Sequence, residues 1–193
     1  MVVLPIKDKK VVKEFLEYLR AKNPRDALLF QTGVNTSLRI SDLLRLQVKH
    51  VAYPDGNIRK YIDINEKKTG KHNRILITST LTKVYKAYIE RYKLKQDSYL
   101  FFIIKKGADS EISTPIKRDW ASKIIVSAAD HLGLEYINTQ SMRKTHAYHV
   151  YMDSGKNIAL VQTMLNHARP DTTLRYICVT QDDMDIAKEL VAF

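Results

Sequence analysis

A chain with a single cysteine, Cys178, cannot close a disulfide within itself, so it must stand on burial alone and suits a reducing, cytoplasmic compartment. No run approaches the roughly 18 consecutive apolar residues of a membrane-spanning helix, and Met1 to Lys10 lack the hydrophobic stretch of a signal peptide. A soluble protein with no membrane partner is expected. The six glycines and five prolines are scattered, and no repeat, low-complexity tract or Pro/Gly/Ser linker breaks the 193 residues, so 1–193 reads as one continuous domain. A hydrophobic fraction of 45% argues against a disordered chain. The scarce charge is negative: 21 acidic residues face 32 Lys and Arg, for a formal net charge of +11. That excess favours a polyanionic partner, nucleic acid first, held through its phosphates.

What is present is mostly helical pattern. Val11, Val12, Phe15, Leu16 and Leu19 recur at helical spacing and predict a first helix closing near Lys22. Asn23 and Pro24 restart a helix as cap and first position, with Gly33 as its expected stop. A third helix is expected from about Ser41 to Leu46, with Arg39 at its mouth. The period then changes, because Tyr61, Ile62 and Ile64, then Ile75, Leu76 and Ile77, flank Lys67–Lys71 as a β-hairpin with Lys68 near a flexible tip. Beyond it come an amphipathic helix through Leu81, Tyr85 and Tyr92, a short strand or extended loop at Tyr99–Ile104, and a helix from Ile116 to about Leu132 capped by Thr114 and Pro115. Thr139 is the expected cap of a helix carrying Gln140 and Arg143 and stopped by Gly155. Asn157 begins one that leaves His167 at its end, a short turn or helix carries Tyr176, and Asp182–Val191 forms the last. The fold class is therefore mainly α with a small antiparallel β-sheet, an α+β domain.

Six polar residues suggest chemistry. Arg39 and Arg143 are permanent cations whose forked donors match two non-bridging phosphate oxygens, so they suit transition-state charge on a phosphodiester without any metal. Lys68 is an ammonium able to protonate a leaving alkoxide, and Tyr176 is a phenol that attacks once its proton leaves. His167 can donate to the phosphate or orient the tyrosine, and Gln140 can donate a hydrogen bond. Asp42, three residues after Arg39, fits either an ordinary helix-surface pair or a carboxylate that fixes that guanidinium. His146, His149 and His167 invite a metal reading that no Cys or H-E-x-x-H pattern supports.

Thr32 to Leu44 around Arg39, Lys68-Thr69-Gly70-Lys71, Ser141-Met142-Arg143-Lys144-Thr145, Leu165-Asn166-His167 and Thr172-Thr173-Leu174-Arg175-Tyr176 stand in the order of the motifs of the tyrosine recombinase (phage integrase) family. The chain resembles that family from about Arg25 to Thr180. The resemblance implies the family's catalytic-domain fold, of the DNA breaking-rejoining type, and a site-specific recombinase or integrase acting in DNA integration and on mobile elements. It implies that Tyr176 attacks a scissile phosphate of double-stranded DNA to form a 3′-phosphotyrosyl bond, with Arg39, Arg143 and His167 holding the phosphate and Lys68 as general acid. No metal, ATP or other cofactor is required, and a homo-oligomer, a tetramer when synapsed on DNA, is implied. The segment 182–191 resembles the family's C-terminal helix, which packs on a neighbouring subunit or on its own domain.

Three departures qualify the resemblance. Gln140 stands where the family's second-arginine motif begins with histidine; lacking a pKa near neutrality, it implies slower chemistry rather than none. Asn166 replaces a glycine, a tolerable change because Asn accepts the left-handed conformation. Only about forty residues precede the first motif, which is expected of a compact catalytic domain without the usual N-terminal core-binding domain, or of an excised fragment. Two alternatives follow: a catalytically impaired DNA-binding module of the same fold, and a type IB topoisomerase-like activity. DNA affinity should fall steeply with salt, by about a thousandfold between roughly 50 and 200 mM if some six phosphates are neutralised. A binding titration at graded salt checks this, and a salt-independent affinity would contradict phosphate-dominated binding.

Overall fold

The computed structural model describes residues 3–103, 114–178 and 188–189. Its most enclosed element is the second helix. α1 (Lys9–Lys22) and α2 (Pro24–Thr36) meet at Asn23, whose side chain accepts the Arg25 N–H at 2.9 Å and so satisfies one orphan donor at the start of α2. Residues 26–33 are all buried, so α2 is surrounded rather than laid on a surface. Phe15 of α1 stacks on Phe30 with centroids 4.3 Å apart. From α5 (Ser79–Tyr92), the Tyr85 hydroxyl donates to Thr32 Oγ1 at 3.2 Å. The helices α6 (Arg118–His131) and α7 (Thr139–Asp153) complete the shell around α2.

Between α2 and α5 the chain makes two short helices, α3 (Ile40–Leu43) and α4 (Val48–Val51), and then the hairpin of β1 (Tyr61–Asn65) and β2 (His72–Leu76). The strands are antiparallel, with Ile62 opposite Ile75 and Ile64 opposite Asn73. Alternation turns Ile62 and Ile64 into the core and leaves Asp63 and Asn65 exposed. The same register carries inward to Glu66, which is 2% exposed.

Several local expectations are corrected. Gly33 does not end α2, which runs on to Thr36 with Ser37 as a left-handed C-cap at φ 57°. Its glycine serves a close helix crossing instead: a Cβ there would lie 2.6 Å from Met142 Sδ and 3.0 Å from Met142 Cβ of α7. The third helix spans only Ile40–Leu43, because the chain turns at Leu44–Arg45 to begin α4. Thr114 and Pro115 do not cap α6; Pro115 bridges Phe102 in extended conformation, and the helix starts later at Arg118 after Lys117. The apolar run after Tyr99 is likewise extended chain with isolated bridges, as far as residue 103. Asn138, not Thr139, caps α7: its side chain accepts the Gln140 N–H at 2.8 Å and its own N–H donates to Ser141 Oγ at 3.0 Å.

α8 (Ile158–Met164), capped by Asn157, and α9 (Pro170–Ile177) pack on α7 around a second, smaller apolar cluster of Ala147, Val161, Leu165 and Ile177. The helix expected at 182–191 lies outside the described residues apart from 188–189. Among the described residues no helix is long and apolar enough to cross a membrane. Replacing Gly33 with Ala should cost about 1–3 kcal/mol through overpacking against Met142, more than the roughly 1 kcal/mol a helical glycine itself costs. Urea unfolding measures this; unchanged or raised stability would contradict the close crossing.

Candidate active site

Among the described residues, Arg143 is the most deeply buried cation. One turn into α7, it is 4% exposed, and its two terminal nitrogens donate to Ser37 O at 2.5 Å and Leu165 O at 2.8 Å. Both carbonyls belong to helix C-caps, of α2 and α8, where orphan acceptors and the negative end of the helix dipole meet a cation. Burial lowers the Arg143 pKa from its usual value, and the nearby Arg39 adds to this, while Tyr176 and Glu66 oppose it. Ser37 holds its left-handed conformation although it is not glycine, and its hydroxyl is buried without a hydrogen-bond partner.

Arg39 follows two residues later, at the N-cap of α3, with its side chain 22% exposed. It pairs through Nη1 with Glu66 Oε2, a residue that sequence reasoning missed. The signal was there: Glu66 continues the inward face of Ile62 and Ile64, and a carboxylate at an inward position needs a cation. Glu66 also accepts from Thr69 Oγ1 at 2.7 Å and Asn73 Nδ2 at 3.2 Å. Burial pushes its carboxyl up, but the Thr69 and Arg39 hydrogen bonds and the Arg39 and Arg143 charges outweigh this and hold it below the usual carboxylate value. The Arg39–Glu66 contribution is therefore present at neutral pH and is lost only as pH falls through that lowered value.

Asp42 does not fix Arg39. Its carboxylate is 1% exposed; Oδ1 accepts the Lys67 N–H at 2.8 Å and lies 3.9 Å from Arg45, while Oδ2 has no partner. The i,i+3 spacing suggested a pair with Arg39, but Arg39 turns to the hairpin, so Asp42 is left to anchor that hairpin's turn. The turn carrying Lys68 is consequently not a loose tip: the residues on both sides of Lys68 are tied down, and Gly70 N–H closes on Glu66 O at 2.8 Å. The Lys68 side chain itself is exposed and makes no hydrogen bond or ion pair with the other five residues.

His167 and Tyr176 come together from the other side. Asn166 takes φ 54°, the left-handed conformation its residue type tolerates, and turns the chain out of α8 so that His167 Nδ1 lies 3.1 Å from Thr173 Oγ1 of α9. The imidazole meets the Tyr176 ring edge-on at 5.2 Å. Burial, then the Arg143 and Arg39 charges, lowers the His167 pKa, so the ring is neutral at neutral pH. Tyr176 has the guanidinium carbon of Arg143 5.9 Å from its ring centroid and Lys144 Nζ at 5.2 Å. Burial raises the pKa of its phenol, against which the charges of Arg143 and Arg39 act. Gln140 is exposed, one turn before Arg143 on α7. The fold thus gathers Arg39, Arg143, His167 and Tyr176, sets Gln140 at the edge and leaves the Lys68 side chain outside. His146 and His149 serve elsewhere, contacting Val34 O at 2.9 Å and Ile6 O at 3.1 Å.

The family model "Phage integrase family" matches residues 7–182. The chain belongs to the phage integrase family, the tyrosine recombinases. It is similar to the "Probable integrase/recombinase YoeC" of Bacillus subtilis (strain 168), with 39% identity over 181 residues covering 94% of this chain and 92% of YoeC. With tyrosine recombinase XerA of Pyrococcus furiosus it shares 26% identity over 92% of its own length but only 58% of XerA. Among solved structures, XerH recombinase bound to palindromic difH substrate in a post-cleavage complex superposes with a TM-score of 0.73 at 20% identity, over 95% of this chain and 51% of XerH. A XerA recombinase crystal structure gives 0.73 at 17% identity, over 100% and 65%. This integrase-family chain therefore spans nearly all of YoeC and a little over half of XerA, and the structural matches support the mainly helical fold with its two-stranded sheet.

Proposed function

We propose that the chain is a site-specific recombinase that cuts and rejoins double-stranded DNA through a 3′-phosphotyrosyl intermediate on Tyr176, with neither metal nor nucleotide cofactor. The observation that carries this reading is the enclosure of the Tyr176 ring by the Arg143 guanidinium and the His167 imidazole, with Arg39 close enough to act on the charge of both. An anion seated between the two arginines would face that phenol.

The steps follow from these groups. Tyr176 Oη attacks phosphorus, the P–O5′ bond breaks, and the phenol proton is lost while the departing 5′-oxygen gains one from Lys68. The diester count is conserved, so the freed 5′-hydroxyl of either strand can reverse the step without ATP. Arg39 and Arg143 balance the extra charge on the non-bridging oxygens, the task a metal performs elsewhere. His167, neutral at neutral pH, is able to accept the phenol proton or donate to the phosphate through its ring N–H. Gln140 adds an uncharged donor where a titrating group would be more effective. The DNA-bound unit is a homo-oligomer, a tetramer in synapsis, as strand exchange between two duplexes requires. The exposure of Gln140 and its lack of a titrating group favour one second reading, a DNA-binding module with impaired catalysis.

A library of nicked duplexes tests both readings, because a short 5′-hydroxyl fragment diffuses away and traps the covalent complex. Wild-type protein should yield denaturant-resistant adducts enriched in one sequence, Tyr176→Phe none, and Gln140→His a cleavage rate raised roughly a hundredfold, the low end for a general acid–base group. Binding without adduct from either the wild type or Gln140→His would overturn the enzyme reading in favour of the binding module.

A further inference from the structure

We propose that Glu66 is a positioning residue for strand cleavage, coupling the phosphate clamp at Arg39 to the leaving-group acid Lys68 by holding both through one buried carboxylate. The inference rests on the strand-transfer reading above. Glu66 has its side chain 1% exposed and spends its two oxygens on three donors: Arg39 Nη1 and Thr69 Oγ1 on Oε2, and Asn73 Nδ2 on Oε1. Arriving phosphate does not displace it, because that would leave a buried carboxylate short of its cation, a loss far larger than an exposed pair could incur. Arg39 therefore meets DNA already gripped through one terminal nitrogen, with the rest of its donor fork free for the phosphate.

The second half of the coupling runs through the turn. Glu66 N–H donates to Lys71 O at 2.9 Å and Glu66 O accepts Gly70 N–H at 2.8 Å, so the same residue closes the loop whose apex is Lys68. Lys68 lies between Lys67, whose N–H is held by Asp42 at 2.8 Å, and Thr69, whose hydroxyl is held by Glu66 at 2.7 Å. Its backbone is fixed relative to Arg39, and only the four-carbon stem is left to swing onto the 5′-oxygen. Asp42 alone does not do this, since it reaches the turn but not Arg39. An acid misplaced by about 1 Å costs on the order of a hundredfold in rate, so the turn's position matters to the chemistry.

The test compares two duplexes of the sequence enriched in wild-type adducts, one with the ordinary 5′-oxygen at the scissile phosphate and one with a bridging 5′-sulfur, whose thiolate leaves without an acid. Lys68→Ala, the reference, should be slow on oxygen and restored on sulfur. Glu66→Ala should lose on the order of a hundredfold on oxygen and recover about tenfold of it on sulfur, the remainder reflecting Arg39. Glu66→Gln, which keeps the side chain's shape, should show the same direction and carries the comparison if Glu66→Ala fails to fold. Equal losses on the two duplexes, or wild-type rates on both, would overturn the coupling even with cleavage intact. Absence of adducts from the wild-type protein overturns the strand-transfer reading and this inference with it.

Discussion

A buried guanidinium is the constraint around which this molecule is arranged. Arg143 sits at 4% exposure, where an unpaired cation would be expensive, and the fold meets that cost with two helix ends. Ser37 O and Leu165 O lie far apart in the sequence, yet both are drawn to the same side chain. Each precedes a motif residue by two positions: Ser37 leads to Arg39, and Leu165 leads to His167. Satisfying one charge therefore fixes the chain directions from which Arg39 and His167 emerge. The left-handed backbone at Ser37 and at Asn166 makes those exits sharp, at φ 57° and 54°. Strain and a buried unpaired hydroxyl at Ser37 are tolerated because the contacts of Arg143 over-determine the turn.

Around this centre the parts differ in how firmly they are held. The main core runs through α1, α2, α5, α6 and the inner face of the hairpin, and it includes Met142 of α7. The segment bearing Tyr176 rests on a separate cluster of four fully enclosed residues between α7, α8 and α9. Fewer apolar contacts mean a lower free energy of local opening. If Tyr176 attacks DNA as proposed above, the nucleophile is carried on the less stable unit and Arg39 on the more stable one, while Arg143 bridges the two through Ser37 O and Leu165 O. The Lys68 turn is an intermediate case, fixed in its backbone by Glu66 and Asp42 and free at its ammonium.

Much of this was legible in the sequence. Helical spacing located α1 and α5, cap signals pointed to α2 and α7, and the change of period located the hairpin, because periodic patterns record burial directly. Arg39, Arg143, His167 and Tyr176 were readable from their motifs, and Asn166 from its tolerance of positive φ. The misreadings have a common origin in local rules overridden by distant partners. Gly33 looked like a helix stop, but it is the hollow that admits Met142, more than a hundred residues away. Asp42 looked like the partner of Arg39 from i,i+3 spacing, whereas the carboxylate that reaches Arg39 comes from the hairpin. Glu66 was overlooked because a charged residue next to a lysine-rich turn reads as surface, although its parity with Ile62 and Ile64 said otherwise. The carbonyl partners of Arg143 leave no trace in side-chain identity at all, since any residue supplies a backbone oxygen.

The claim that one buried guanidinium organises the site is tested most directly by equilibrium unfolding of Arg143→Lys, with amide hydrogen exchange read on the same protein. A lysine keeps the charge but offers a point donor in place of the fork that spans both carbonyls. The expected result is a loss of about 1.5–3 kcal/mol, as for a lost hydrogen bond to a charged group, with faster exchange spreading through residues 158–177. Unchanged stability, or a loss whose exchange signature leaves that segment protected, would contradict the account.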